Sequence, residues 1–289
     1  MREFDGSALI RPVVYDVGGR IPAAGLDAQV LVAHGLDPAR AGEIFEQLPK
    51  LRMVQLFSSG SDEWEAVVPD GVRLSNADRA HGGIVAEWVV AQLLTHYRKL
   101  EAYRDRQRER RWEALSSGTL SGKRALVFGA GDIGENLRRR LEPFETVVTS
   151  VGRTARGTVL DVSRALARLA EFDIVVLAVP LNASTRGMVD AAFLAAMRDG
   201  AVLVNVGRGP LVDTDALVAE LRARRLYALL DVTDPEPLPP GHRRWDAPGA
   251  VVTPHSAGTT EGTLDRCWAA VVRKVTEYAR ERITVSGLG

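Results

Sequence analysis

From residue 124 onward the chain alternates between short apolar runs and stretches of helical periodicity. The runs at 124–128, 146–151, 174–179, 201–206, 227–232 and 250–253 are rich in Val, Leu and Ala and carry few polar positions. Strands of that kind are buried on both faces. Separated by amphipathic segments such as 214–225, they predict a parallel sheet covered by helices. The first eighty residues are less regular, with apolar runs at 28–33 and 53–57. The second run ends in the turn-forming cluster Ser58-Ser59-Gly60-Ser61-Asp62, which predicts a strand-end loop with exposed main-chain N–H groups.

Between these regions, residues 83–113 take up helical spacing. Ile84, Val85, Trp88, Val89, Leu93 and Leu94 recur at three- and four-residue intervals, predicting one long helix that crosses between domains and stops at the Ser/Gly/Thr cluster 116–122. A last helix is predicted from about residue 263 to 282, with Trp268, Val271, Val272, Val275 and Tyr278 on one face, running back to the first domain. The fold class expected is α/β with two doubly wound parallel-sheet domains. The first spans residues 1–84 and is completed by 272–289; the second, residues 85–271, is a Rossmann dinucleotide-binding domain.

Composition narrows the function classes. The 289 residues are 46% hydrophobic and 26% charged, and 37 basic side chains balance 37 acidic ones, so no global field favours nucleic acid or an anionic membrane. The Arg-rich stretch 97–111 is interleaved with Glu101, Asp105 and Glu109 and lacks alternating aromatics, as expected of a solvated helix face. No apolar run is long enough for a membrane span, and Met1-Arg2-Glu3-Phe4-Asp5 has no signal core. The single cysteine, Cys267, lies in an apolar stretch and reads as buried packing; with it, a reducing cytoplasm is expected.

Gly129-Ala130-Gly131-Asp132-Ile133-Gly134 directly follows an apolar strand and opens a helix, the context in which GxGxxG binds a dinucleotide. Gly129 permits the tight turn, Gly131 lets the main chain approach a pyrophosphate, and Gly134 lets the helix pack on the strand. The helix N-terminus, at Asp132 and Ile133, offers N–H groups to phosphate. An NAD site places an acidic residue at the end of the next strand, but here the residues are Val151-Gly152-Arg153-Thr154-Ala155-Arg156, with no carboxylate before Asp161. Arg153, Thr154 and Arg156 suit a ribose phosphate, which points to NADP with NAD as the alternative; two plain surface arginines are the other reading.

Three further residues follow apolar strands: Arg208 in the segment 204–210, Glu236 in 231–238 and His255 in 253–258. With the glycine loop and the segments PLNASTRGMVD (180–190), NVGRGPLVD (205–213), LDVTDPEPLP (230–239) and TPHSAG (253–258), they make the chain similar to the D-isomer-specific 2-hydroxyacid dehydrogenases, over residues 56–260. The resemblance implies an active site in a cleft between two domains and a homodimer formed through the cofactor domains. It makes Arg208 the carboxylate-binding residue, Glu236 the partner of the catalytic His and His255 the acid/base. Asp231 matches a position that contacts the nicotinamide. Val179, Pro180, Val206, Gly207 and His255 fall in cofactor-lining segments, and Ser59 and Gly60 in a loop that holds the substrate carboxylate. Trp64 and His81 lie near the substrate end, where packing or surface roles are equally open. No metal ligand is assigned.

The chemistry of these side chains fits such roles. A protonated His can supply the proton that a developing alkoxide needs, a carboxylate favours and orients the imidazolium, and a guanidinium binds a carboxylate. Thr233 stands where the family often has Phe, and Arg243 and Arg244 stand before Trp245 where apolar residues are common. The reading expected is an NADP(H)-dependent reductase of small 2-keto acids of the glyoxylate or hydroxypyruvate type, reversible as a 2-hydroxyacid dehydrogenase. An NAD-dependent phosphoglycerate-type dehydrogenase and a dinucleotide-sensing co-regulator on the same fold are the alternatives.

Overall fold

The computed structural model describes residue 4 and residues 9–286, with side chains through Arg282. Most of the N-terminal stretch read for a signal core, and the last three residues of the segment assigned to the first domain, lie outside the described residues. The chain divides into two compact units, Met1–His81 with Glu261–Gly289, and Gly82–Thr260.

In the first unit β1 (Val30–Ala33) precedes α1 (Ala41–Phe45), β2 (Met53–Leu56), α2 (Asp62–Glu65) and β3 (Arg73–Ser75). The three strands are parallel and stand in the order β1-β2-β3. Side chains of β1 alternate between faces. Leu31 and Ala33 join the core made by Leu36, Ile44, Leu48, Val54, Leu56 and Trp64, while Val30 and Val32 pack toward Trp268, Val271 and Val275.

The second unit runs α3 (Gly82–Tyr97), α4 (Leu100–Arg108), β4 (Arg124–Phe128), α5 (Asp132–Leu141), β5 (Val147–Val151), α6 (Val162–Leu166), β6 (Ile174–Leu177), α7 (Ala191–Ala196), β7 (Val202–Asn205), α8 (Thr214–Arg222), β8 (Tyr227–Leu230) and β9 (Ala250–Val252). The final helix, α9 (Thr263–Ser286), returns to the first unit. All six strands are parallel, in the order β5-β4-β6-β7-β8-β9. Leu126, Phe128, Val175, Leu177 and Leu203 face one apolar layer with Phe193, Leu217 and Leu221; Ala125, Val127, Ile174, Val176 and Val204 face another with Val89, Leu93 and Leu137. Both faces are therefore dry, which is why these strands read as unbroken apolar runs.

The winding reverses at β4. The chain goes to β5 on one side and then crosses to β6 on the other, and in open α/β sheets ligands bind beyond the strand ends at such a point. Beside β5, Leu160 makes an isolated parallel bridge to Val151 in place of a further full strand.

Two expectations differ from the structure. The long helix of 83–113 is two helices, broken at Lys99, whose backbone is left-handed. α3 buries Val85, Ala86, Val89 and Leu93, whereas α4 buries no residue and carries the Arg108–Asp105 pair on an exposed surface. Once the apolar face ends at Tyr97, no core packing keeps the two segments collinear. The first unit also takes in residues 261–271, assigned above to the second domain. Cys267 and Ala270 are buried against Ala77 and Ala80, and Trp268 meets Phe57 edge-on with ring centroids 4.8 Å apart.

No helix among the described residues is long and apolar enough to cross a membrane.

Candidate active site

The glycine loop follows β4 at the winding reversal. Gly129 has φ +120°, and a Cβ there would overlap the carbonyl of Ala178 at the end of β6. A Cβ on Gly134 would overlap the carbonyl of Gly129, so only glycine lets α5 start this close to β4. Gly131 differs from both. It is the N-cap of α5, no side chain caps the helix there, and nothing lies within 4 Å of where its Cβ would be. This open cradle, in front of uncapped N–H groups, fits a dinucleotide pyrophosphate. Asp132 contributes main chain only, because its carboxylate accepts from Gly82 N at 2.9 Å and Asn136 Nδ2 at 2.9 Å. Ile133 packs into the layer between α3 and α5.

After β5 the chain makes a narrow loop, closed by Gly152 N donating to Leu160 O at 2.9 Å and by reciprocal bonds between Arg156 and Val159. A Cβ on Gly152 would lie 4.0 Å from that of Ala130, which sets this loop beside the glycine loop. Arg153, Thr154 and Arg156 are exposed, and neither arginine has an ion-pair partner among the described residues. The next carboxylate, Asp161, is committed elsewhere. It caps α6 by accepting from Arg164 N at 2.9 Å, a bond that, with the Ser163 hydroxyl, holds its pKa below the ordinary value.

Val179 and Pro180 follow β6. Val206, Gly207 and Arg208 follow β7, where a Cβ on Gly207 would come within 2.8 Å of the Val179 carbonyl. The turn there is shaped by Asn205, fully buried, whose Oδ1 accepts from Gly207 N at 3.1 Å and whose Nδ2 donates to Arg208 O at 2.9 Å. The Arg208 guanidinium donates to Gly207 O at 2.8 Å. A Cβ on Gly209 would overlap the carbonyl of Thr233, so the loops after β7 and β8 touch through main chain.

Those after β8 and β9 meet through side chains. His255 Nδ1 and Glu236 Oε1 are 2.6 Å apart, both partly exposed, and Nε2 of His255 has no partner among the described residues. His255 sits at φ +50°. Its turn is held by Asp231, 2% exposed: the Asp231 carbonyl accepts from His255 N at 2.8 Å, and its carboxylate accepts from the Thr253 hydroxyl, from Ser256 N at 2.9 Å and from Ala257 N at 3.0 Å. Thr233 fixes the other partner. Its N–H donates to Glu236 Oε2 at 3.4 Å, and its hydroxyl donates to Pro235 O at 2.8 Å, a bond that a Phe side chain could not make. Arg244 is buried, with burial pressing its pKa down against the opposing charge of Asp234, and it donates at 2.6 Å to Thr214, which itself donates to Asp234 O. A carboxylate on Nδ1 and a bare Nε2 form a proton donor and acceptor with a fixed direction.

In the first unit, Ser59 and Gly60 lie in the loop after β2. Its carbonyls are occupied: Ala77 N donates to Ser58 O at 2.9 Å, Asn76 Nδ2 to Ser59 O at 2.7 Å and the Ser58 hydroxyl to Gly60 O at 2.8 Å. The N–H groups of Ser59 and Gly60 have no partner among the described residues. Trp64 is core, 7% exposed. His81 bonds Ser59. Sequence reasoning missed Asn205, Thr233 and Arg244 as shaping residues; a buried polar residue at a strand end was the available signal for the first.

The model of the family described as "D-isomer specific 2-hydroxyacid dehydrogenase, NAD binding domain" matches residues 90–257, more than half the chain. A glyoxylate reductase of Thermofilum pendens is 30% identical over 244 residues, covering 75% of this chain and 69% of its own. A D-isomer specific 2-hydroxyacid dehydrogenase of Xanthobacter autotrophicus, solved with NADPH and MES, superposes with TM-score 0.79 at 29% identity, covering 91% and 84% of the two chains. An NADPH-dependent glyoxylate/hydroxypyruvate reductase of Sinorhizobium meliloti, solved with NADP and sulfate, gives 0.77 at 27% identity and covers 91% and 86%. With the glycine loop and these strand-end residues on one six-stranded sheet, the chain belongs to the D-isomer specific 2-hydroxyacid dehydrogenase family and is an NAD(P)-dependent oxidoreductase of 2-hydroxy and 2-keto acids.

Proposed function

We propose that the chain reduces small 2-keto acids of the glyoxylate or hydroxypyruvate class, with NADPH preferred. The observation that carries the catalytic reading is the 2.6 Å contact between His255 Nδ1 and Glu236, which leaves Nε2 to deliver a proton to the nascent alkoxide. Glu236 stabilises the charged ring and fixes its orientation, and Arg208 binds the substrate carboxylate and polarises the keto group. Ser59 and Gly60 offer main-chain N–H donors for a substrate carboxylate, a role supported by the lack of partners for those groups among the described residues. When bound, the dinucleotide would supply the hydride. The main chain at Gly129, Gly131, Asp132, Ile133 and Gly134 would hold its pyrophosphate, and Val179, Pro180, Val206, Gly207 and Asp231 would line its nicotinamide half.

The NADP preference is supported by Arg153, Thr154 and Arg156 beside the glycine loop, and by the use of Asp161 as a helix cap. The relatives named above, two of them glyoxylate reductases by name, support the substrate class. The units proposed are a dinucleotide-binding domain at 82–260 and a substrate domain made by the remainder. A homodimer is proposed through the second unit, where Trp112 is fully exposed and Leu100 half-exposed on a segment whose Tyr103 hydroxyl is bonded to both main-chain groups of Leu115. A cytoplasmic location fits the single buried thiol. The test is a panel of 2-keto acids with NADPH and NADH in parallel. Turnover of glyoxylate or hydroxypyruvate with a lower KM for NADPH is expected; no turnover with either cofactor would overturn the reading.

A further inference from the structure

A hydrogen-bonded chain in the first unit joins the loop after β2 to helix α9. His81 Nδ1 lies 2.9 Å from the Ser59 hydroxyl, and His81 Nε2 lies 3.5 Å from the sulfur of Cys267. The three residues come from three separate parts of the chain, and Cys267 is 2% exposed.

The chain has a direction. The Ser59 hydroxyl has one hydrogen, and it donates to Ala77 O at 3.2 Å. Its contact with His81 is then one in which Nδ1–H donates and the hydroxyl oxygen accepts. A neutral imidazole protonated at Nδ1 has a bare Nε2, and a bare Nε2 needs a donor. Burial pushes the Cys267 thiol up from its ordinary value, against the smaller effect of the Arg266 charge, so the sulfur keeps its hydrogen and can donate it. The series thus runs one way: Cys267 donates to His81, His81 to Ser59 and Ser59 to the Ala77 carbonyl.

We infer that His81 is a positioning residue for 2-keto acid binding, acting through the Ser59 hydroxyl to hold the Ser59 and Gly60 N–H groups aimed at the substrate carboxylate. The inference rests on the substrate-loop role proposed above and adds a residue to it. The carbonyls of Ser58 and Ser59 are tied to residues 77 and 76 and that of Gly60 to the Ser58 hydroxyl, and Ser59 is the residue through which His81 meets the loop. Without His81 the Ser59 hydroxyl keeps only its 3.2 Å bond to Ala77 O, and the peptide planes that aim the N–H groups are held less firmly. Cys267 acts one step further back by choosing the ring tautomer.

The test uses steady-state kinetics on the full-length protein with glyoxylate or hydroxypyruvate. His81→Leu is expected to raise KM for the keto acid by roughly three- to tenfold, the worth of one hydrogen bond, with kcat within about twofold and KM for NADPH unchanged. His81→Asn, whose amide can donate from near the Nδ1 position, should recover most of that loss. Ser59→Ala, which also loses the bond to Ala77 O, should raise KM by at least that factor, and the double variant should be no worse than Ser59→Ala alone, because the His81 bond is already gone. Additive effects, an unchanged KM in His81→Leu, or failure of His81→Asn to recover KM would each overturn the inference. Ring-nitrogen NMR of the ¹⁵N-His-labelled protein tests the chain without turnover: His81, assigned by its loss in His81→Asn, should be protonated at Nδ1 and bare at Nε2. The opposite tautomer overturns the inference. A wild type that shows the expected tautomer but reduces no keto acid overturns the substrate-loop reading instead.

Discussion

The two sheets present their ends to chemistry in different ways. In the six-stranded sheet, ionisable side chains follow the strands, with Glu236 and His255 in direct contact and Arg208 on the neighbouring loop. In the three-stranded sheet the loop after β2 has main-chain N–H groups without partners among the described residues, beside the hydrogen-bonded series of Ser59, His81 and Cys267. A side chain that must gain and lose a proton needs a rigid platform on which a second group can be aimed at it. The wide sheet supplies that platform, because both its faces are packed and adjacent loops are locked at Gly207 and Gly209 by main-chain contact. Main-chain donors do not titrate, and a small sheet can hold them with a few side-chain ties.

The largest effect expected is at the proposed proton donor. His255→Gln should lower kcat by about a thousandfold, in the range of general acid–base catalysis, with circular dichroism and melting temperature near those of the wild type. A variant retaining a tenth of the activity would remove the distinction between the sheets, since the wide one would then also work by binding alone.

Glycines sharpen the contrast between platform and ligand site. Gly209→Ala should destabilise the fold by about 3 kcal/mol or more, because its Cβ meets the Thr233 carbonyl. Gly131→Ala has open space and should leave the melting temperature unchanged while weakening dinucleotide binding by about tenfold. Calorimetric titration with NADPH and thermal melts on both variants separate the two. Equal melting temperatures would show that the loops after β7 and β8 are not locked.

Arg153→Ala should raise the KM for NADPH by about tenfold, the worth of a charged hydrogen bond, and leave that for NADH within about twofold. An equal change for both would mean that the loop after β5 recognises no phosphate.

The smallest effect belongs to the first unit. Burial opposes ionisation of Asp78, but the hydrogen bond from Arg273 and the charges of Lys274 and Arg273 outweigh it and hold its pKa below the ordinary 3.8. That stabilisation is full above a pH of about 4 and is lost as pH falls through the lowered value. The pair is partly exposed, so Asp78→Asn should cost less than about 1 kcal/mol at neutral pH, or about 1–3 °C in melting temperature. The gap from wild type should close on acidification; a gap that widens would rule out the pair as its source.

The wide sheet was largely legible because strands dry on both faces leave unbroken Val and Leu runs, and because its glycines serve steric needs that no other residue meets. β3 was not legible, since three residues at a sheet edge, one exposed and two half-buried, carry no period. The break at Lys99 was hidden because the charged residues after it are good helix formers, and propensity does not report where packing ends. The start of the first unit's C-terminal part lies just before α9, whose apolar stripe gives no sign of changing partners. Among the strand-end residues, those proposed to do chemistry stood out by type and position. Asp231 and Thr233 work by holding others, through bonds visible only after folding, and Thr233 looked like a mere departure from the family pattern.

The backbone of His255 has a consequence for mutational history. A left-handed residue tolerates few side chains, with Gly, Asn, Asp and His the most comfortable, so few replacements keep the turn beside Asp231. His255→Asn is reachable by one nucleotide change and would keep the bend and its bonds to Asp231. That single change would separate the shape of the turn from the proton transfer proposed for it.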